Sequence, residues 1–393
     1  MCCPGKARMV PLPEDDGRPP VQFMICLHLG FVLTGIGTAL LGCVLPVLGG
    51  AWTLNDSRSG FLLAAQFTGS SCGALLVQPA LYASLIRGYL LLVAGGVSLA
   101  FCHGHFAVPL FFIFGLGLGS AMTATSMLVG RIYSATRGSA LSLLNASWCL
   151  GAVICPLIVT IWVHAHSSAS LFLAMGCAGA LSVLFVGLQH THLSGLRDDF
   201  TAPQSLRSKF SVLMPLALFA FLYVGVEASI SSWVMTFVYR LHLPSTVLAP
   251  TATSFFWIAL LCGRAIAPAV LKKITESRLL TICLSLTIVG NFQLLLSHTF
   301  AMSLTSALLA GLMLAPIFPL CLARVLAITS QASESKWVFG VSGLGGAVFP
   351  WMTGQVATIG GSLRTGLMVP FFASCLMLFL HLRAKSISEK LLT

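Results

Sequence analysis

Charge is what this chain has least of: 21 lysines and arginines and 10 acidic residues make up only 8% of its 393 positions, against roughly a quarter in ordinary soluble domains. That is too little to cover a water-exposed enzyme. A disordered chain is excluded as well, because disorder needs low hydrophobicity and 57% of these residues are hydrophobic. Nucleic-acid binding needs basic residues gathered on one face, and here they are scattered. No P-loop and no GxGxxG after a strand is present. Nor is there a catalytic triad or a cluster with metal-ligand spacing. An enzyme, a resident cofactor, a bound metal and a nucleic-acid partner are therefore not expected.

What the chain has in abundance is uninterrupted apolar length. Runs extend over Gln22–Gly49, Gly60–Ala80, Gly88–Phe101, Ala107–Val129, Gly138–Val163 and Ser168–Leu188, then Phe210–Val238, Val247–Leu271, Leu279–Leu296, Met302–Leu326, Trp337–Ile359 and Leu367–Leu382. A helix crossing a bilayer needs about 20 apolar residues, so the runs predict twelve crossings. Lipid-spanning strands would alternate apolar with polar residues. The predicted fold is an all-α membrane protein of twelve transmembrane helices.

Net charge is +11, and its placement matters more than its size. Threading twelve spans from a cytoplasmic N-terminus leaves only Arg58, Arg240 and Arg364 outside, with the other eighteen basic residues inside. Both termini are expected in the cytoplasm, and the compact loops point to a bacterial inner membrane. Glu14, Asp15 and Asp16 within the first twenty residues argue against a cleavable signal peptide. Most of the 13 cysteines lie in spans without paired spacing and read as small packing residues.

The one long polar interruption, Gln189–Lys209, divides the spans into two sets of six. The expected organisation is a tail over 1–21, a six-helix bundle over 22–188, a linker over 189–209, a second bundle over 210–382 and a tail over 383–393. Short matches between the halves point to duplication. Cys72-Gly73 with Pro79 recurs as Cys262-Gly263 with Pro268, and Gly151-Ala152-Val153 with Pro156 recurs as Gly346-Ala347-Val348 with Pro350.

Twelve helices in two pseudo-symmetric six-helix bundles, with a central linker and basic loops, resemble the major facilitator superfamily. Within it, Tyr223-Val224-Gly225-Val226-Glu227 followed by Trp233 is similar to the seventh-helix signature of the fucose permease-like (fucose:proton symporter) branch. Phe256-Trp257 with Gly263-Arg264, and Leu144-Asn145-Ala146-Ser147 with Leu150-Gly151, add to the likeness. The resemblance implies alternating access, in which two halves rock about a central site. It does not extend to the branch's acids in the first and fourth helices, since Phe23–Gly49 and Ala107–Gly130 contain none.

Nine of the ten acids sit in predicted tails or loops, and Glu227 alone lies inside a span. A charge near the bilayer centre costs at least about 2.5–3.5 kcal/mol on insertion scales, so such residues usually face a cavity and have a task. Tyr223, Glu227 and Ser231 follow i, i+4, i+8 spacing and share one helical face. Glu227 is the candidate proton carrier, with a neutral carboxyl bonded to a neighbouring helix as the structural alternative; His28 is the second-choice titrating residue. Candidate solute contacts are Tyr223, Ser231, Thr34, Gln66, Asn145 and Trp257, because amides and hydroxyls match hydroxyl-rich ligands and indoles stack on sugar faces. Trp148 and Trp233 are further stacking candidates. Asn291, Gln293 and Gln355 are polar too, and for any of these amides hydrogen bonding between helices is an equal alternative. Arg131, Arg264 and Arg324 are expected to end spans on the inner side, snorkelling or pairing with Glu276 or Glu334. Asn55-Asp56-Ser57 reads as an N-cap.

The function expected from the sequence is proton-coupled symport of a sugar or similar small polar solute by a monomer in the lipid bilayer. Export of lipophilic compounds by proton exchange is one rival. A non-transporting receptor or scaffold is another, and the lack of any sizeable loop domain counts against it.

Overall fold

The computed structural model describes residues 21–102, 104–133, 136–188, 206–241, 249–328 and 332–390, and these are helical throughout their main segments, with no strand among them. In the first half they form α1 (Val21–Ala51), α2 (Asp56–Leu75), α3 (Leu81–Phe101), α4 (Ala107–Ile132), α5 (Arg137–Ala165) and α6 (Ser168–Gly187). The second half has α7 (Leu206–Arg240), α8 (Ala249–Leu271), α9 (Glu276–Leu296), α10 (Phe300–Leu314), α11 (Ile317–Ile328), α12 (Ala332–Ile359), α13 (Leu363–Gly366) and α14 (Met368–Lys390). Most of the predicted linker, residues 189–205, lies outside the described residues, as does the tail before Val21; the linker's last four residues belong to the first turn of α7.

Polar caps begin the helices where the chain turns at the membrane surface. Asn55, Ser167, Thr275 and Thr299 each accept a hydrogen bond from a backbone N–H in the first turn of α2, α6, α9 and α10. The tenth predicted span is not one helix but two. Pro316 has no N–H to give and its ring opposes the preceding turn, so the helix stops at Leu314 and restarts at Ile317.

Ten segments among the described residues are long and apolar enough to cross a membrane. The remaining two crossings, α2 and α12, carry more polar residues and lie against one another: Gly60 abuts Trp351 and Gly354, and Gly346 and Gly343 abut Phe67 and Ser71. The outer faces of other helices present Leu29, Leu90, Ile161, Leu184, Phe292 and Phe379 to the surroundings, an apolar exterior that only lipid tolerates.

Glycine sets how closely the helices approach, and its contacts repeat in the two halves. Gly115 of α4 faces the backbone of Gln66 in α2, and Gly311 of α10 faces the backbone of Phe256 in α8. Gly73 likewise meets Leu116 of α4, and Gly263 meets Leu312 of α10. Gln66 and Phe256 stand as far apart in sequence as Gly73 and Gly263, so the Cys-Gly match is a true structural correspondence. Gly42 of α1 also meets the backbone of Ser232 in α7, a close approach across the halves. For the second match the register is off by one. Gly151 seats on Val32 of α1, but it is Gly345, not Gly346, that seats on Phe221 of α7; from Gly345 the spacing to Pro350 also equals that from Gly151 to Pro156.

A Cβ at Gly115 would collide with backbone, whereas one at Gly50 meets nothing. Gly115→Val is expected to destabilise the protein by about 1–3 kcal/mol, as overpacking does, and Gly50→Ala to be nearly neutral. Thermal unfolding in detergent checks both; equal melting temperatures for the two variants would refute the close-packing account.

Candidate functional site

Glu227 sits where three helices meet. The Tyr223 hydroxyl, one turn earlier on α7, donates to Glu227 Oε2, as the i, i+4 spacing foretells. Arg264 of α8 brings Nη2 to 3.8 Å from the same oxygen, and its Nη1 donates to Cys149 Sγ on α5 at 3.5 Å. The side chains of Arg264 and Glu227 are 22% and 15% exposed, so the pair is largely withdrawn from solvent without being sealed. Since α5 belongs to the first six helices and α7 and α8 to the second, this chain of contacts spans the two sets.

Aromatic rings pack beside Tyr223 and along α5 and α8. Tyr223 is 1% exposed and stacks on Phe318 of α11 with ring centres 5.4 Å apart. Trp148 of α5 meets Trp257 of α8 edge-on at 5.2 Å, and Phe256 packs edge-on against Trp257. Ser254 adds a direct bond between the sets, donating to the Val153 carbonyl at 2.9 Å. A low-polarity shell strengthens the attraction between Glu227 and Arg264 and makes either charge alone costly.

The predicted solute contacts divide. Tyr223, Glu227 and Trp257 gather at this junction. Asn145 is exposed and lies one turn before Cys149 on the same face of α5, its Nδ2 bonded to the Leu141 carbonyl. Ser231 continues the α7 stripe, with its hydroxyl on the Ala228 carbonyl. Gln66 and Thr34 are each 1% exposed and are engaged elsewhere: Gln66 donates to the Gly37 and Thr38 carbonyls of α1, and Thr34 to Phe31 of its own helix. Gln66 thereby ties α2 to α1, whereas the Thr34 bond stays within one helix. Asn291 bonds Ser374 at 2.8 Å and Gln293 bonds Thr305 at 2.7 Å, the interhelical alternative. Trp233 is fully buried and donates to the Pro350 carbonyl. His28 bonds Ser147 of α5 at 2.8 Å.

Arg264 is the residue that sequence reasoning placed wrongly. It was expected at the inner end of its span, yet seven residues of α8 follow it, Ala265 to Leu271. That apolar tail of two turns was a readable signal of depth, and the lone acid in α7 was a signal that a partner was needed. Arg324 does pair with Glu276, at 3.6 Å, as anticipated.

A second cluster joins the halves at the end of the bundle remote from the termini. Arg240, at the last turn of α7, makes a bidentate ion pair with Asp56 at the first turn of α2, at 2.6 and 2.8 Å. Beside it the Ser57 hydroxyl donates to Gln355 at 3.0 Å, and the Ser57 N–H donates to Thr358 of α12 at 2.8 Å. Asp56 was expected in a loop, but it is buried in the first turn of α2, and Arg240, expected on the outer side, is its partner.

Residues 27–350 match the sequence family described as Major Facilitator Superfamily. The chain is 23% identical over 356 residues to the glucose/mannose transporter GlcP of Bacillus subtilis (strain 168), covering 82% of this chain and 85% of that protein. It is 29% identical over 170 residues to the 4-hydroxybenzoate transporter PcaK of Acinetobacter baylyi, spanning 42% and 37% of the two. Among solved structures it resembles the xylose transporter XylE from E. coli in a partially occluded inward open conformation, with TM-score 0.71, 15% identity, and coverage of 91% and 96%.

Removing one member of a buried pair leaves the other uncompensated, at about 3–5 kcal/mol. Arg264→Leu is therefore expected to lower stability markedly, and Glu227→Gln added to it to restore much of the loss. A double-mutant cycle from thermal unfolding measures the coupling; strictly additive effects would show that the two side chains do not depend on each other.

Proposed function

The chain belongs to the Major Facilitator Superfamily and is a multi-pass membrane transporter rather than an enzyme, and we propose that it carries a small polar solute of the sugar class by proton-coupled symport with alternating access. The observation that carries this reading is the Tyr223–Glu227–Arg264 cluster, partly open to solvent and tied to α5 across the two six-helix sets. A carboxylate there can exchange a proton with whichever side the site faces, and its pairing with Arg264 changes each time it does. Proton occupancy is thereby linked to a contact between moving parts. The transport of glucose and mannose by one relative supports the sugar class.

Alternating access also needs a closure that opens. The Asp56–Arg240 pair with the Ser57, Gln355 and Thr358 bonds supplies one at the end remote from the termini, while toward the termini α5 exposes Ser142 and Asn145, and α8 exposes Cys262, Ile266 and Ala269. We read this as the state open on the side of the termini, which basic loops assign to the cytoplasm. Uptake into a bacterial cell through its inner membrane, by a monomer, completes the proposal.

Two measurements test it. In liposomes under an imposed pH gradient, protein with Glu227→Gln is expected to exchange labelled sugar at equilibrium but to lose accumulation against a gradient; accumulation equal to the unaltered protein would remove Glu227 from coupling. A disulfide between cysteines placed at Ser57 and Thr358 is expected to stop transport, with recovery on reduction, and undiminished flux in the oxidised protein would contradict a moving closure there.

A further inference from the structure

Proton carriage by Glu227 leaves one charge to be accounted for. With the carboxylate ionised, the pair with Arg264 is neutral. Once the carboxyl takes a proton, the guanidinium loses its one acidic partner among the described residues, since Asp56 is paired with Arg240 and Glu276 with Arg324. The titratable and charged groups facing Glu227 are Tyr223 on its own helix, Arg264 on α8 and Cys149 on α5, none of which replaces the lost negative charge.

Three buried donors on α5 and α8 are unmatched in the same sense. Arg264 Nε, Trp148 Nε1 and Trp257 Nε1 are buried and have no hydrogen-bond partner, and the two tryptophans are only 9% and 4% exposed. All three groups can donate and none can accept. Trp257 lies two turns from Arg264 on one side of α8, Trp148 adjoins the Cys149 that receives Nη1, and the indoles touch across α5 and α8. A buried donor without an acceptor is a cost that an incoming acceptor removes. A neutral sugar brings hydroxyls that donate as readily as they accept, whereas an ionised carboxylate brings acceptors only, together with the charge the guanidinium lacks.

We propose that the transported solute is a sugar-sized organic monoanion, a sugar acid in chemical class, whose carboxylate takes the Arg264 guanidinium when Glu227 is protonated while its ring lies against Trp148 and Trp257. This rests on the Glu227 reading above and deepens it. The proton moves from water to a Glu227 oxygen, the guanidinium is released and binds the anion, and the loaded site is electrically neutral. On the other side the proton leaves to water, Glu227 recovers Arg264, and the anion is displaced. One proton and one negative charge cross together, so transport is electroneutral, whereas symport of a proton with neutral glucose would carry net charge.

The test uses the full chain in liposomes with labelled glucuronate and labelled glucose, a pH gradient, and a potassium–valinomycin potential applied separately. Glucuronate uptake is expected to exceed glucose uptake by about tenfold or more, the scale of a charge-assisted bond, to follow the pH gradient and to ignore the potential. Arg264→Lys is expected to keep part of the glucuronate flux and Arg264→Gln to lose it, with thermal unfolding checking that both remain folded. Glucose uptake that responds to the potential, with glucuronate left outside, would overturn the anion while leaving proton coupling intact. Uptake indifferent to the pH gradient would instead overturn the coupling on which the anion rests. A folded protein that moves neither compound also contradicts the proposal.

Discussion

An ionised side chain at membrane depth persists only if another charge answers it. In this chain the answer to Glu227 comes from Arg264 on the next helix, and much of the site's arrangement follows from that need. Tyr223 holds the carboxylate from one side, and Cys149 takes a guanidinium N–H from the opposite half. The aromatic rings around them keep the dielectric low enough for the pairing to matter. Any change in the protonation of one carboxyl therefore alters how α7, α8 and α5 are held.

The scaffold that presents this pair is built on close backbone approach. Gly115 on Gln66 and Gly311 on Phe256 repeat one contact in each half, and Gly42 meets Ser232 where the halves join. In lipid, where burial of apolar surface gives little drive between helices, such approach supplies dispersion contacts instead. It also leaves the two halves as separate well-packed bodies joined by few polar links. Among the described residues those links are the Asp56–Arg240 group at one end, the Ser254–Val153 bond, and the Glu227–Arg264–Cys149 chain nearer the middle, an arrangement suited to a carrier in which one level loosens as another tightens.

Much of this was legible in the sequence. Uninterrupted apolar runs located the crossings because hydrophobic length is a local property, and Glu227 stood out because acids are so rare. Even α2 was found, although its serines and Gln66 make it less apolar than a lipid-facing helix. The pairings were not legible, because which charge meets which is decided by tertiary packing. Arg264 was assigned to the surface by habit of charge, despite the two apolar turns after it, and Asp56 and Arg240 were treated as separate outer residues although they meet 184 positions apart. Gln66 illustrates the converse: read from sequence as a solute contact, it donates through its amide nitrogen to the carbonyls of α1. The Pro316 break was hidden because a proline inside a long apolar run bends some helices and ends others.

Coupling through Glu227 requires its carboxyl to change protonation as solute binds. Infrared difference spectroscopy of the reconstituted protein, recorded with and without glucuronate, reads this directly through the carbonyl stretch of a protonated carboxyl. A positive band on solute addition, absent from Glu227→Gln, is the predicted result. A spectrum with no carboxyl change, or one retained unaltered in Glu227→Gln, would contradict it.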